Sequence, residues 1–216
     1  MLDVGLLRGW PFSNSPQAVA AGCCRHWRCS RKISLFAIDA DAGGTDYIDL
    51  LLIHRPDPLI DHCETGAVLD ALVREGKARA VGASNYRAWD YELLQSAMAT
   101  RLAVNQIELS LLARAAFTNG DVAFFQQRQI PLMAWSPLAG GRLLNGTDDR
   151  LGSALDRVAQ AHRVDRAAVA VAWLLAHRSF RCSAPTISNL SKAGQVKIDR
   201  ATWFSLYTAA IRENVL

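Results

Sequence analysis

Six side chains able to bind or react stand directly after apolar runs: His54, Ser84, Asn85, Gln106, Trp135 and Ser136. An imidazole can orient an oxygen or move a proton near neutral pH. Hydroxyl and amide groups offer donors and acceptors in set directions, and an indole presents a flat face for stacking. Each also has an ordinary structural use. A histidine behind a strand often only packs, and Ser84 and Asn85 suit the cap of a following helix. Gln106 in a buried strand must bond some neighbour, and Trp135 suits a core. A metal-dependent hydrolase built on His54, Asp57 and His62 lacks the paired histidines expected on a first strand. Cys23, Cys24 and Cys29 cluster around His26, but no second ligand pair follows at zinc-finger spacing, so no metal is expected.

The order of elements explains why such residues would converge. Tyr47 to Ile53 is an almost unbroken apolar run, as in a strand buried on both faces of a parallel sheet. A helix is predicted from Glu64 to Glu75, with Val68, Leu69 and Leu72 on its stripe and Gly76 as its terminator. A strand at Ala78 to Gly82 follows, then a helix from Ala88 to Met98 with Trp89, Leu93 and Leu94 inward. Leu102 to Ile107 and Ile130 to Trp135 read as strands around a helix at Asp121 to Arg128. Further helices are predicted at Leu151 to Ala161, after an Asp165 cap, and after an Asp199 cap, with a short strand near Ala184 to Ile187.

Strand and helix alternating at about 25–30 residues indicate right-handed βαβ units. No Gly-x-Gly-x-x-Gly follows any strand, which favours a (β/α)8 barrel over an open dinucleotide-binding sheet. In a barrel the residues at strand C-termini line the active site. The expected fold class is α/β, a TIM-barrel type that is incomplete. About five strands are evident, whereas a closed barrel has eight in about 250 residues.

Composition limits the functional classes. The chain has 216 residues, half of them hydrophobic and 20 % charged, which suits one globular domain with a real core. A net charge of +4 predicts no nucleic-acid binding. No run is long and apolar enough for a membrane span. Five cysteines without a secretory signal fit a reducing compartment, and a cytoplasmic location is expected.

Four motifs in order identify a resemblance. Gly44-Thr45-Asp46-Tyr47-Ile48-Asp49-Leu50-Leu51-Leu52-Ile53-His54 looks like the fourth strand of the aldo/keto reductases, and Val81-Gly82-Ala83-Ser84-Asn85-Tyr86 like the end of the fifth. Asn105-Gln106-Ile107-Glu108 is similar to the sixth, and Met133-Ala134-Trp135-Ser136-Pro137-Leu138-Ala139-Gly140-Gly141 to the seventh. The resemblance covers residues 44 to 187, with Lys197 to Glu213 similar to the C-terminal helix. It implies an oxidoreductase that transfers hydride between NADP(H) and a small carbonyl or alcohol substrate. His54 then takes the place of the histidine that orients the carbonyl oxygen. Ser84, Asn85 and Gln106 hold the nicotinamide carboxamide, Trp135 stacks on the ring, and Ser136 and Leu138 lie along the pyrophosphate.

The pattern also breaks. The family's acid tyrosine, with its lysine and aspartate, comes from strands before the one that ends at His54. Residues 1–43 do not resemble those strands; they hold no tyrosine, and Lys32 is their only lysine. Residues 1–43 therefore read as an irregular segment and 44–216 as a partial barrel domain, a truncated or degenerate member with impaired activity. A non-catalytic cofactor-binding or interaction module is the alternative. The family's phosphate-gripping turn after the eighth strand has no counterpart in Pro185-Thr186-Ile187-Ser188-Asn189-Leu190-Ser191-Lys192, where Lys192 is the one basic residue. Missing strands leave open sheet edges, through which self-association is expected, unless Ile33 to Ile38 supplies a replacement strand.

Overall fold

A computed structural model describes residues 47–145, 149–182 and 191–211. The 1–43 segment, the strand expected at Ile33 to Ile38, the Cys23–Cys29 cluster and the strand expected at Ala184 to Ile187 lie outside them. The described strands are β1 (Ile48–Ile53), β2 (Ala78–Ser84), β3 (Asn105–Glu108), β4 (Leu132–Trp135) and β5 (Phe180–Cys182), which form one sheet in chain order. The helices are α1 (His62–Arg74), α2 (Ala88–Ser96), α3 (Ala115–Thr118), α4 (Asp121–Gln127), α5 (Arg142–Asn145), α6 (Asp149–His162), α7 (Arg166–Leu175) and α8 (Arg200–Ile211). The chain divides into two compact units, with the boundary between Asn105 and Gln106.

In the first unit, β1 and β2 pair in parallel, with Ile48 opposite Ala78 and Ile53 opposite Ala83. Leu50, Leu51, Leu52, Val81 and Ala83 are all buried, so the strands are covered on both faces, as their unbroken apolar character requires. The backbone bonds Ala103 N–H to Val81 O (2.8 Å) and Ala83 N–H to Val104 O (3.0 Å) extend the parallel path past β2. That is why an apolar run starting at Leu102 reads as strand although β3 begins at Asn105.

Capping sets the ends of α1. The Asp61 carboxylate accepts from the amides of Cys63 and Glu64, both at 3.0 Å. These are two of the donors a helix N-terminus leaves unpaired. At the other end Gly76 has φ +71°, and the amides of Gly76 and Lys77 return to Val73 and Leu72 at 3.0 Å. Helix α2 keeps Leu94 inward as expected but departs from the expected orientation at Trp89 and Leu93. Tyr91 and Leu94 are its buried residues, while Trp89 is 83 % and Leu93 45 % exposed. The Tyr91 hydroxyl donates to Leu102 O at 2.8 Å, and this anchor sets the rotation of the helix. Tyr47 precedes β1 and packs under the Arg79 guanidinium, 3.9 Å from its ring centre, while Arg79 also bonds Asp49 at 2.9 Å.

In the second unit, β4 and β5 pair in parallel, Leu132 opposite Phe180. Helix α7 is buried from Ala167 through Leu174. Its N-terminus is tied down twice. Asp165 accepts from Ala168 N–H at 2.8 Å, and Arg166 forks onto Asp156 of α6 with two 2.6 Å bonds while reaching Leu144 O at 3.1 Å. Trp173 stacks on Trp203 of α8 at 4.8 Å, and each indole N–H donates to the other residue's carbonyl at 3.1 Å. The polar edge of each ring is thus satisfied inside a cluster that includes Phe117 and Tyr207. His177 stacks on Phe180 at 4.1 Å, and burial holds its pKa below the usual imidazole range.

Urea unfolding tests this packing at two places. A Cβ at Gly82 would sit 2.8 Å from Leu52 Cδ2, Val104 Cγ1 and the Val104 carbonyl oxygen. Gly82→Ala should therefore cost about 1–3 kcal/mol of stability by overpacking, read as a lower urea midpoint. The carboxyl pKa values of Asp165 and Asp199 lie below the usual 3.8, chiefly because each accepts a helix-N-terminal amide, from Ala168 and Thr202. A pKa lower in the folded than in the unfolded state gives stability that is present above the unfolded value and lost as pH falls through the folded one. Urea midpoints should hold above about pH 4 and drop below it. Asp165→Asn should start lower at neutral pH and lose less on acidification.

Candidate active site

The sequence-predicted site residues occupy the C-terminal ends of β1, β2 and β4, and β3 itself. In the first unit His54 follows β1, half-buried, and Ser84 closes β2 at 2 % exposure. Asn85 comes next with φ +60°, a left-handed conformation that asparagine tolerates better than most residues. Its Nδ2 donates to the His54 carbonyl oxygen and to Ser84 Oγ, both at 3.2 Å. One amide thus joins the ends of two neighbouring strands. The reading of Ser84-Asn85 as a helix cap is replaced by this arrangement. Helix α2 starts behind Arg87, which makes no side-chain capping bond.

Asn105 extends the same series. It is fully buried, and its Nδ2 donates to the Tyr86 carbonyl oxygen at 2.7 Å, while its Oδ1 has no hydrogen-bond partner among the described residues. Sequence reasoning placed Asn105 in a family motif but gave it no role. The signal was an amide side chain at the head of an otherwise apolar strand.

In the second unit, Gln106 Nε2 lies 3.5 Å from Met133 Sδ, a weak acceptor, and Leu109 N–H donates to the Trp135 carbonyl at 3.3 Å. Trp135 is half-buried at the end of β4. The loop behind it is wound tightly. Ser136, Ala139, Gly140 and Gly141 all have left-handed φ, of +53°, +52°, +65° and +89°. Ser136 organises the turn: its carbonyl accepts from Ala139 N–H at 2.8 Å and its Oγ from Gly140 N–H at 3.1 Å. Leu138 leans against the buried cluster of Val171, Ala172, Ala193 and Val196. Left-handed non-glycine residues cost about 1–3 kcal/mol each and concentrate at ligand clamps. Gly140-Gly141 signals a turn, but the residue types at Ser136 and Ala139 give no sign of their left-handed backbone, because neither is a glycine.

Lys192, the one basic residue where the family has its phosphate-gripping turn, pairs with Asp165 at 3.0 Å. Among the described residues, Asp61, His62 and Cys63 bring possible metal-ligating atoms within 4.8 Å of one another. There the Asp61 carboxylate caps α1, and the group shares only His62 with the His54, Asp57 and His62 set.

Residues 41–198 match the model of the aldo/keto reductase family. The chain belongs to the aldo/keto reductase family. It is 53 % identical over 178 residues to a 6-dehydroglucose reductase of Agrobacterium fabrum, which covers 80 % of this chain and 60 % of the relative. It is 35 % identical over 185 residues to the oxidoreductase YdhF of Escherichia coli, with 79 % of this chain and 60 % of the relative covered. A crystal structure of a thermostable aldo-keto reductase in complex with the inhibitor epalrestat superposes with a TM-score of 0.71 at 26 % identity, covering 79 % of this chain and 62 % of that one. The chain thus spans about 60 % of the length of these relatives. The five-stranded sheet with its helices is of the TIM-barrel type of these enzymes. No helix among the described residues is long and apolar enough to cross a membrane.

The Asn85 bridge is open to test. Asn85→Gly keeps the left-handed backbone and removes both hydrogen bonds, and should cost about 1–2 kcal/mol in urea unfolding. Asn85→Ala should cost roughly 1 kcal/mol more, because alanine resists the left-handed conformation.

Proposed function

We propose that this aldo/keto reductase chain binds NADP(H) through the strand-end residues and, by itself, turns over small carbonyl substrates slowly. The observation that carries the reading is the set of fixed polar groups at the ends of β1 and β2. Ser84 Oγ and the Asn85 amide are held together by one hydrogen bond at 3.2 Å. A nicotinamide carboxamide offers two donors and one acceptor, and hydroxyl and amide side chains such as those of Ser84, Asn85 and Gln106 match it in kind. Trp135 is assigned to the ring face. Ser136 and Leu138 are assigned to the pyrophosphate, on a loop whose left-handed residues let the backbone come close to a ligand. Bound there, the cofactor supplies hydride to the carbonyl carbon.

The chain's own contribution to the chemistry is orientation. His54 stands at the end of β1, in the place of the family's carbonyl-orienting histidine, and its backbone oxygen is fixed by Asn85. Negative charge grows on the carbonyl oxygen as hydride adds, and a positioned donor stabilises it. The proton must then come from an acid. The family's acid tyrosine, lysine and aspartate come before the strand that ends at His54, residues 1–43 of this chain do not resemble those strands, and losing a general acid costs about 10²–10⁴ in rate. Binding without fast turnover is the consequence. The 53 % identity to a 6-dehydroglucose reductase puts 6-dehydroglucose first among carbonyl substrates to try.

NADPH titration of the tryptophan fluorescence tests the binding half of this reading. Saturable quenching is expected, weakened roughly 3- to 10-fold in Trp135→Leu, because stacking is worth about 0.5–1.5 kcal/mol. Unquenched fluorescence, with no binding by calorimetry, contradicts it. NADPH consumption with an aldehyde panel tests the other half: rates equal to those of full-length reductases would refute the proposed slow turnover.

A further inference from the structure

We propose that a small cavity beside Tyr86 is a hydration site holding one water molecule, bonded to the Tyr86 hydroxyl and to at least one of the Asp57 and Asp90 carboxylates. Tyr86 is 2 % exposed, and its hydroxyl has no hydrogen-bond partner among the described residues. Buried polar atoms in folded proteins are overwhelmingly paired, with protein groups or with ordered water. The orphan hydroxyl belongs to a residue lining a cavity of about 20 Å³, together with Asp57, His62 and Asp90 and the apolar Ile60 and Leu94. A site needs about 10–15 Å³ of such room, and two to four polar partners, to hold one water. The room meets the first condition, and the Tyr86 hydroxyl with the Asp57 and Asp90 carboxylates is the polar set proposed for the second.

The charges around the hydroxyl fit this occupant. Burial, and then the Asp90 and Asp57 carboxylates, push the Tyr86 pKa up to about 12, so the phenol stays protonated. It is available as a donor to the water oxygen, and the water's own hydrogens are drawn towards the carboxylates. Asp57 lies in the loop after His54, and Asp90 lies in α2. A shared water therefore fastens the loop behind the site histidine to the neighbouring helix. Left dry, the same hydroxyl would cost about the desolvation of an unmatched polar group with no compensating bond.

Tyr86→Phe separates the two states. If the hydroxyl is hydrated, removing it strands the water, and the folded-to-unfolded ratio should fall about 5- to 10-fold in urea titrations. Asp57→Asn or Asp90→Asn should then combine non-additively with it in a double-mutant cycle. A neutral or stabilising Tyr86→Phe, additive with both, overturns the proposal. Should the variant fail to fold, a high-resolution crystal structure of the unaltered chain decides. An ordered water within hydrogen-bond distance of Tyr86 Oη upholds the site, and featureless density there removes it.

Discussion

Parallel strands end with backbone groups that no partner strand reaches, and something else must hold those ends in place. Here side-chain amides do it. Asn85 Nδ2 spans from the carbonyl of His54 to the hydroxyl of Ser84, which ties the end of β1 to the end of β2. Asn105 Nδ2 reaches the carbonyl of Tyr86 and carries the tie to the head of β3. Asn85 makes both bonds from a left-handed backbone. The Asn85 amide is what holds the backbone at His54, since the pairing of β1 with β2 stops at Ile53, one residue short of it.

The second unit uses a different device. Helix α7 is apolar nearly all round and buried, so the elements packed on it are held by shape and by stacked rings. The loop behind β4 is wound against that support, with Leu138 set into the cluster around Val171 and Ala172. Its left-handed Ser136 and Ala139 are strained positions that the rigid helix behind them can sustain. Rigid support beneath a strained loop suits a site that must keep its shape before a ligand arrives.

Much of this was legible in the residues, and the exceptions have physical causes. Strand β1 was readable because both its faces are buried and its apolar run is unbroken. The caps at Asp165 and Asp199 were readable because capping is local chemistry. Helix α2 was misread because its apolar residues at 88, 89, 91, 93 and 94 support more than one inner face. Only the bond from Tyr91 to Leu102, a tertiary fact, selects among them. Strand β5, Phe180-Arg181-Cys182, offers neither a run nor a clear alternation, so it could not be distinguished from loop. The strand-end positions of His54, Ser84 and Asn85 were readable through their motifs. The backbone strain at Ser136 and Ala139 and the orphan oxygen of Asn105 were not, because both arise from how the chain packs.

The joined ends of β1 and β2 are proposed to receive the carboxamide of a nicotinamide, and a crystal structure of the chain grown with NADP⁺ tests this directly. The carboxamide is expected within hydrogen-bond distance of the Ser84 hydroxyl or the Asn85 side chain, with the Asn85 bond to the His54 carbonyl kept. Cofactor bound elsewhere on the surface, with Ser84 and Asn85 untouched, would contradict it.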